Sequence, residues 1–248
     1  MRYLRYFPAG GTILDAGCGR GEFMEAARER GFETVGVDSD EAAVAEAARL
    51  GLEVVRSDAA EFLTAHAGKF EGVFCAHLIE HLEPEGARRL VEAAAGALKP
   101  GGVLCLVTPN PGSLPTISHE FWRDPSHVRP YDLEALQFLC RAAGLEILAS
   151  GQNADSQRGL PIDPSDLMVG SGESPPPPSA GQPKLASVLA AQIAKSRLAR
   201  ELQAVIHGQR LRIERLEAQV RLLAGALQRL LYVLYEPSEI FVVARKPG

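Results

Sequence analysis

Apolar runs alternate with amphipathic stretches along the first 150 residues of the chain. Short continuous apolar runs are typical of strands buried on both faces, whereas apolar positions three and four residues apart are typical of helices. The pattern predicts six strands, at Thr12–Cys18, Thr34–Asp38, Glu53–Asp58, Val73–His77, Val103–Thr108 and Leu145–Ser150. It predicts helices at Glu22–Arg30, Asp40–Leu50, Pro84–Leu98 and Tyr131–Ala143.

Strands that alternate with helices form βαβ units, in which the strands run parallel. The sequence therefore predicts an α/β fold with a doubly wound, mostly parallel sheet that helices cover on both faces. Right-handed crossovers put the loops that follow the strands along one edge of such a sheet, and ligands bind at that edge.

The pattern changes after Ser150. Residues 151–183 contain five Gly, seven Pro and five Ser, which is typical of a flexible or polyproline-like linker. Residues 184–236 then read as a helical arm. Its apolar positions alternate in steps of three and four over three heptads, at Ile213, Leu216, Val220, Leu223, Leu227, Leu230 and Leu234. This heptad seam predicts a coiled coil, and a break at Gly208 would instead fold the arm into a hairpin.

A single strand-like run, Glu239–Arg245, follows the arm. A lone strand needs a sheet to join, so we expect it to return to the first domain as a seventh strand. The predicted organisation is one domain from residues 1–150 plus 237–248, with the linker and the arm inserted before its last strand.

Composition agrees with a globular protein, because 46% of the 248 residues are hydrophobic and 23% are charged. No apolar run approaches the roughly 18 residues of a transmembrane helix, and the first residues lack the apolar stretch of a signal peptide. We therefore expect a cytoplasmic protein.

The four cysteines are widely spaced without a CxxC pair, so we expect buried free thiols.

The charge is unevenly distributed along the chain. Residues 184–235 hold nine basic and three acidic residues, whereas the remainder holds 17 basic and 28 acidic residues. An acidic body argues against a nucleic-acid partner. The mildly basic arm leaves peripheral contact with an anionic membrane open, and its seam favours a homo-oligomer through residues 184–235.

The strongest chemical signal is a glycine-rich turn, where residues 13–22 read ILDAGCGRGE. Glycines between a strand and a helix let the backbone approach a ligand at the helix N-terminus. The dinucleotide fingerprint needs a small residue at position 22, and the glutamate there would repel a pyrophosphate, which disfavours a nicotinamide oxidoreductase. The carboxylates of Asp15 and Glu22 suit a cationic ligand.

This turn resembles the first motif of class I S-adenosylmethionine-dependent methyltransferases of the type 11/12-like group. Later segments match the same family in order, at Asp38, Asp58–Ala59, Cys75–His81 and Leu98–Gly102. The resemblance implies a Rossmann-like sheet, with an antiparallel seventh strand between the fifth and the sixth, and S-adenosylmethionine as the cofactor. It implies that Asp38 holds the ribose and that Asp58 with Ala59 contacts the adenine. The residues implied for cofactor binding are Asp15, Gly17, Cys18, Gly19, Gly21, Asp38, Ser39, Asp58, Ala59 and His77.

Two alternatives weaken parts of that assignment. Instead of holding a ligand, Asp38 could be a helix N-cap or a turn residue before Glu41, and Asp58 could cap the helix that follows it. Residues 77–81 read HLIEH, which fits the HxxEH pattern of zinc proteases, although a predicted strand rather than a helix precedes them. We predict no bound metal.

A second cluster lies at residues 108–131, after the fifth predicted strand, and holds the chain's single tryptophan and several prolines. We expect an ordered lid at the ligand edge of the sheet. It is similar to a segment of bacterial methyltransferases of cell-surface polysaccharide and O-antigen synthesis, which implies a saccharide-linked acceptor. Arg123 and Arg129 could steer an anionic acceptor or only brace the lid.

Methyl transfer to a hydroxyl benefits from a base that titrates near neutral pH. The candidate bases are His127, His81 and His119, each of which could instead be a structural histidine. The sequence thus predicts a methyltransferase that acts on a small-molecule or saccharide acceptor, at oxygen. The alternatives are a methyltransferase of other secondary metabolism and a non-catalytic, cofactor-binding scaffold whose arm binds a partner.

Overall fold

A computed structural model describes residues 2–156 and 197–248. The chain divides into two compact units. The first consists of residues 1–159 and 234–248, and the second of residues 160–233. The predicted linker, residues 151–183, lies mostly outside the described residues, as does the first part of the predicted arm, residues 184–196.

The described residues of the first unit form one seven-stranded sheet. Its strands are β1 (Thr12–Ala16), β2 (Glu33–Asp38), β3 (Val54–Arg56), β4 (Phe70–Ala76), β5 (Leu98–Pro109), β6 (Glu146–Gln152) and β7 (Glu239–Arg245). The spatial order is β3-β2-β1-β4-β5-β7-β6, with β7 antiparallel to both of its neighbours and the other pairs parallel. The predicted α/β fold is confirmed, including the place of the last strand.

The helices are α1 (Glu22–Arg28), α2 (Glu41–Arg49), α3 (Ala59–Ala65), α4 (Pro84–Ala97), α5 (Leu133–Ala142) and α6 (Arg197–Leu234). Short turns of helix occur at Arg2–Tyr6, Ile79–His81, Thr116–Glu120, Phe121–Arg123 and Ala154–Ser156. Helix α5 begins two residues later than predicted because Asp132 is its N-cap, with a side chain that accepts from the Ala135 N–H at 2.7 Å.

Strand β5 begins five residues earlier than predicted. Leu98 pairs with Phe70, and Val103 pairs with Gly72, so the intervening Lys99–Gly102 segment forms a bulge in one continuous strand. The turn-like residues therefore interrupt the pairing without ending the strand.

Apolar side chains cover both faces of the sheet. Helices α3, α4 and α5 pack over one face, whereas α1 and the Arg2–Tyr6 turn pack over the other. On that second face the rings of Phe23 and Phe74 stack with centroids 3.8 Å apart. All four cysteines are buried and free, as predicted.

Helix α6 runs without interruption through Gly208. The alternative of a hairpin with a break at that glycine is therefore wrong, because one glycine costs a helix only about 1 kcal/mol relative to alanine and the helix formers Gln209, Arg210 and Leu211 follow it. The 38 residues span about 57 Å. In the described part of the chain, no helix is both long and apolar enough to cross a bilayer.

Candidate functional site

The glycine-rich turn connects β1 to α1 at the carboxyl edge of the sheet. Gly17 and Cys18 donate their N–H groups to the Val37 carbonyl at 2.8 and 3.1 Å, which fastens the turn to β2. Gly21, the N-cap of α1, has a φ of 92°, and a Cβ there would lie 2.2 Å from Leu52 Cδ1. The turn thus needs glycine both for its backbone angle and for its packing.

Asp38, at the end of β2, joins the glycine-rich turn to the start of α2. One carboxylate oxygen accepts from the Gly19 N–H at 2.9 Å, and the other accepts from the Asp40 N–H at 2.8 Å. Asp40 is the N-cap of α2, accepting from the Ala42 N–H at 2.8 Å. The alternative that Asp38 caps α2 is therefore wrong, whereas its bond to the Asp40 N–H is that of the turn residue that the sequence also allowed.

Asp58 does cap a helix. Its side chain accepts from the Glu61 N–H at 3.0 Å and begins α3 at Ala59. The carboxylate remains exposed at the ligand edge, so a capping role and a ligand contact are compatible there.

A cavity of about 950 Å³ opens beside these loops, a volume suited to a small-molecule ligand. Five of the ten predicted cofactor residues line it, namely Gly17, Asp38, Ser39, Asp58 and Ala59. Leu78 and His81 line it from the loop after β4, and it continues between α3 and α4. Of the other five, Gly19 and Gly21 shape the turn, Asp15 and Cys18 are buried beneath it, and His77 lies at the end of β4.

The buried position of Asp15 changes its charge. Burial, together with the carboxylates of Asp38 and Glu22, raises its pKa to about 8. Asp15 is thus mostly protonated at neutral pH. The predicted cofactor residues that offer carboxylates to the cavity are then the half-buried Asp38 and the exposed Asp58, and Glu61 and Glu92 also lie on the cavity wall. Burial likewise raises the pKa of the Cys18 thiol to about 12, which leaves it a poor nucleophile.

His77 is held between two carboxylates. Its Nε2 lies 3.1 Å from Glu239 Oε1 and its Nδ1 lies 3.3 Å from Glu80 Oε1. These hydrogen bonds raise the pKa of His77 to about 9, so the ring is charged at neutral pH. Because His77 ends a strand and His81 lies in a short turn, the two histidines do not form the helical zinc site of the HxxEH proteases.

His81 is the candidate base that the structure places in the cavity wall. Its Nδ1 lies 3.0 Å from Ser126 Oγ, and that hydroxyl donates to Asp124 Oδ1 at 2.5 Å. A hydroxyl has one hydrogen to donate, so Ser126 accepts from an Nδ1–H of His81. In the neutral imidazole this arrangement leaves the lone pair on Nε2.

The other two candidate bases do not line the cavity. His127 is mostly buried, its Nδ1 donates to the Phe121 carbonyl at 2.6 Å, and its ring packs 4.6 Å from the ring of His81. His119 is exposed in the Thr116–Glu120 turn. Of the three candidate bases, the geometry therefore favours His81. The sequence alone did not separate His81 from His127.

Sequence reasoning missed the role of Glu80, which is fully buried. Its carboxylate accepts from the Thr108 hydroxyl at 2.9 Å, and its carbonyl accepts from the N–H groups of Val128 and Arg129. Glu80 thereby ties the 119–131 segment to the loop after β4. The sequence signal that could have revealed this role is a glutamate that directly follows two apolar residues, in the segment HLIEH.

Glu80, His81 and His127 each place one potential ligand atom within 4.8 Å of the others, as in sites that hold a metal ion. The Glu80 oxygens are already engaged by His77 and Thr108. The absence of a metal stays a prediction.

Comparisons with known proteins agree on one family. A family model described as a methyltransferase domain matches residues 1–150. The ubiquinone biosynthesis O-methyltransferase of Aromatoleum aromaticum is 32% identical over 161 residues, which cover 56% of this chain and 65% of that protein. The one from Pseudomonas paraeruginosa is 30% identical over 161 residues, covering 56% and 66%. The chain thus spans slightly less than two thirds of these relatives.

Among solved structures, a SAM dependent methyltransferase from Archaeoglobus fulgidus superposes with a TM-score of 0.64 and 25% identity. The superposition covers 99% of this chain and 90% of that one. These matches do not support the weaker likeness to polysaccharide methyltransferases.

Proposed function

The chain belongs to the family of methyltransferase domains, and we propose that it transfers the methyl group of S-adenosylmethionine to a hydroxyl oxygen of a small acceptor. The sequence resemblance to class I S-adenosylmethionine-dependent methyltransferases is confirmed by this membership and by the Archaeoglobus structure. The names of the curated relatives support oxygen as the atom that is methylated.

The cavity fits the proposed cofactor in size and in chemistry. Asp38 and Asp58 offer carboxylates to a diol, an amine or an adenine amino group, and the backbone of Gly17 lies open beside them. When bound, S-adenosylmethionine supplies a methyl group on a positively charged sulfur. We propose that Ser39 and Ala59, from the same loops, complete its binding site.

Methyl transfer is an in-line displacement, so aligning the acceptor with the sulfur accounts for much of the rate. We propose that Nε2 of His81 removes the hydroxyl proton, because His81 lines the cavity and its other nitrogen is engaged by Ser126. Ser126 and Asp124 are then positioning residues that hold the imidazole in the productive tautomer. His127 packs against His81 and supports it.

The proposed acceptor is a phenolic or saccharide-linked hydroxyl. We infer the phenolic class from the relatives' names, which state O-methylation in ubiquinone biosynthesis, and the saccharide-linked class rests on the resemblance of the 108–131 segment to polysaccharide methyltransferases. Arg123 and Arg129 are exposed in that segment, where they are available to an acidic acceptor, and the Arg129 guanidinium lies 5.0 Å from the centre of the Tyr131 ring. We also propose peripheral contact of the basic residues of α6 with an anionic membrane.

The test uses the full chain with methyl-labelled S-adenosylmethionine and two acceptor panels, one of catechols and one of uronic acid glycosides. Mass spectrometry should detect one added methyl on oxygen, and the rate should fall about 100-fold in His81→Gln but not in His119→Gln. Each assay is run with and without EDTA, which tests the prediction of no metal. No methylated product together with no calorimetric binding of S-adenosylmethionine would overturn the proposal.

The non-catalytic alternative remains testable in the same experiment. The observation that favours it is the exposed apolar face of α6, which has the character of a docking element. Binding of S-adenosylmethionine without turnover on either panel would support a scaffold.

A further inference from the structure

One face of α6 carries apolar side chains that the structure leaves exposed to solvent. Seven of them are between 45% and 68% exposed, namely Leu202, Ile206, Ile213, Leu216, Val220, Leu223 and Leu230. Five of them belong to the heptad seam, and Leu202 and Ile206 extend it toward the N-terminus, so that positions 206, 213 and 220 are a and positions 202, 216, 223 and 230 are d. A seam of this length is costly to leave in water, so it needs a partner.

The residue types of the seam indicate the kind of partner. Three a positions hold the β-branched residues Ile206, Ile213 and Val220, the next two hold Leu227 and Leu234, and the d positions are leucine except for Gln209. In parallel coiled coils β-branched residues at a with leucine at d favour two strands, and this is the pattern from Leu202 to Leu223. The uninterrupted course of α6 through Gly208 gives the seam the straight helix that such a pair requires.

Charge complementarity then indicates a second copy of the same chain. Arg212 occupies a g position and Glu217 the e position five residues later. In a parallel pair in register, Arg212 faces Glu217 of the partner subunit, and the twofold axis repeats the contact. Gln209, the polar d residue, meets its own copy only in the same register.

We propose that α6 pairs with α6 of a second copy as a parallel, in-register, two-stranded coiled coil, with Arg212 and Glu217 setting the register. The inference rests on the sequence and exposure of α6 alone and is independent of the proposed methyl transfer. The chain is then a dimer with two methyltransferase domains on the same coiled coil.

Light scattering after size-exclusion chromatography tests the dimer on the full chain. The wild-type mass should be twice the chain mass of 26.6 kDa. Leu216→Asp with Leu223→Asp should give the monomer mass, whereas Leu222→Asp should leave the dimer intact. Leu222 is the matched control because it is 70% exposed, against 68% for Leu223, but lies off the seam. A monomeric wild type, or equal masses for both variants, would overturn the proposal.

Two further variants test the orientation. Leu223→Cys should form a disulfide-linked dimer under mild oxidation, because d residues meet their own copies in a parallel pair, and Leu222→Cys should not. Arg212→Glu should weaken the dimer about tenfold, and adding Glu217→Arg should restore it. A dimer that shows neither cross-linking nor restoration contradicts the parallel register. Unchanged binding of S-adenosylmethionine verifies that each variant keeps a folded domain.

Discussion

Glu239 Oε1, at the start of β7, lies 3.1 Å from Nε2 of His77, at the end of β4. The two residues are 162 positions apart in the sequence, and their strands are separated in the sheet by β5. The contact therefore ties the returning strand to the loop that carries His81. Asn153 adds to it by donating to the other Glu239 oxygen at 2.7 Å.

The His77–Glu239 contact predicts a pH-dependent stability. The pKa of His77 is about 9 in the folded protein against about 6.5 in an unfolded chain. The stabilisation is thus complete below about pH 6.5 and is lost as the pH rises through 9. Because the ring is half exposed, we expect only about 1 kcal/mol.

Urea unfolding of the wild type and Glu239→Gln at pH 6.5, 8 and 10 measures this effect. The difference in the free energy of unfolding should shrink toward pH 10. The control is Glu146→Gln, which loses an exposed ion pair with Arg245 and should show no such trend over this range. A Glu239→Gln deficit that is equal at all three pH values would contradict the charged histidine.

Ser126→Ala should lower the turnover of the methyltransferase roughly tenfold or more, with little change in its affinity for S-adenosylmethionine. The variant removes the hydroxyl that joins Asp124 to His81, so the imidazole loses its fixed tautomer. Ser126→Thr keeps a hydroxyl and should recover most of the rate. Nitrogen NMR of His81 reports the tautomer directly, and an unchanged Nδ1–H population in Ser126→Ala would exclude the positioning role.

Asp38→Asn should weaken the binding of S-adenosylmethionine about tenfold, as measured by isothermal titration calorimetry. An amide cannot accept from both the Gly19 and Asp40 N–H groups, and it loses the charge that faces the cavity. Asp40→Asn is the control, because asparagine also caps helices and Asp40 is not among the cavity residues. Equal affinities for both variants would remove Asp38 from the binding site.

Gly21→Ala should lower the free energy of unfolding by about 3 kcal/mol. The new Cβ meets the buried Leu52 side chain, and the backbone has a φ of 92°. Gly31→Ala shares the left-handed backbone, with a φ of 80°, but its Cβ would meet nothing within 4 Å. It should cost only about 1 kcal/mol, and similar losses for the two variants would show that backbone strain alone is responsible.

The fold was predictable from the sequence because each sheet element is a local pattern. An apolar run such as that of β1 is typical of a buried strand wherever it occurs, and the glycine-rich turn after it has few structural alternatives. Strand ends were less predictable. The Lys99–Gly102 bulge depends on pairing with β4, which no local pattern encodes.

Five of the cavity-lining residues were among those that the resemblance to the methyltransferase family implied, and the rule that loops after parallel strands share one edge explains why they lie together. The choice among the histidines did not follow, because it depends on how the 119–131 segment folds back. That fold depends on Glu80, whose carbonyl accepts two N–H groups of the segment. The way in which Asp38 joins the glycine-rich turn to α2 could likewise not be predicted, because a carboxylate before a helix is usually interpreted as the N-cap of that helix.

The position of β7 also has a consequence for synthesis. Strands β5 and β6 hydrogen-bond to β7 on either side of it. While residues 153–238 emerge from the ribosome, the edge of each strand that pairs with β7 therefore stays unpaired. During that interval two open strand edges, of which that of β5 is rich in valine and leucine, are available to the wrong partners. Closure of the sheet is thus a late, long-range step, and nascent chains of this protein should depend on chaperones until Glu239–Arg245 has been made.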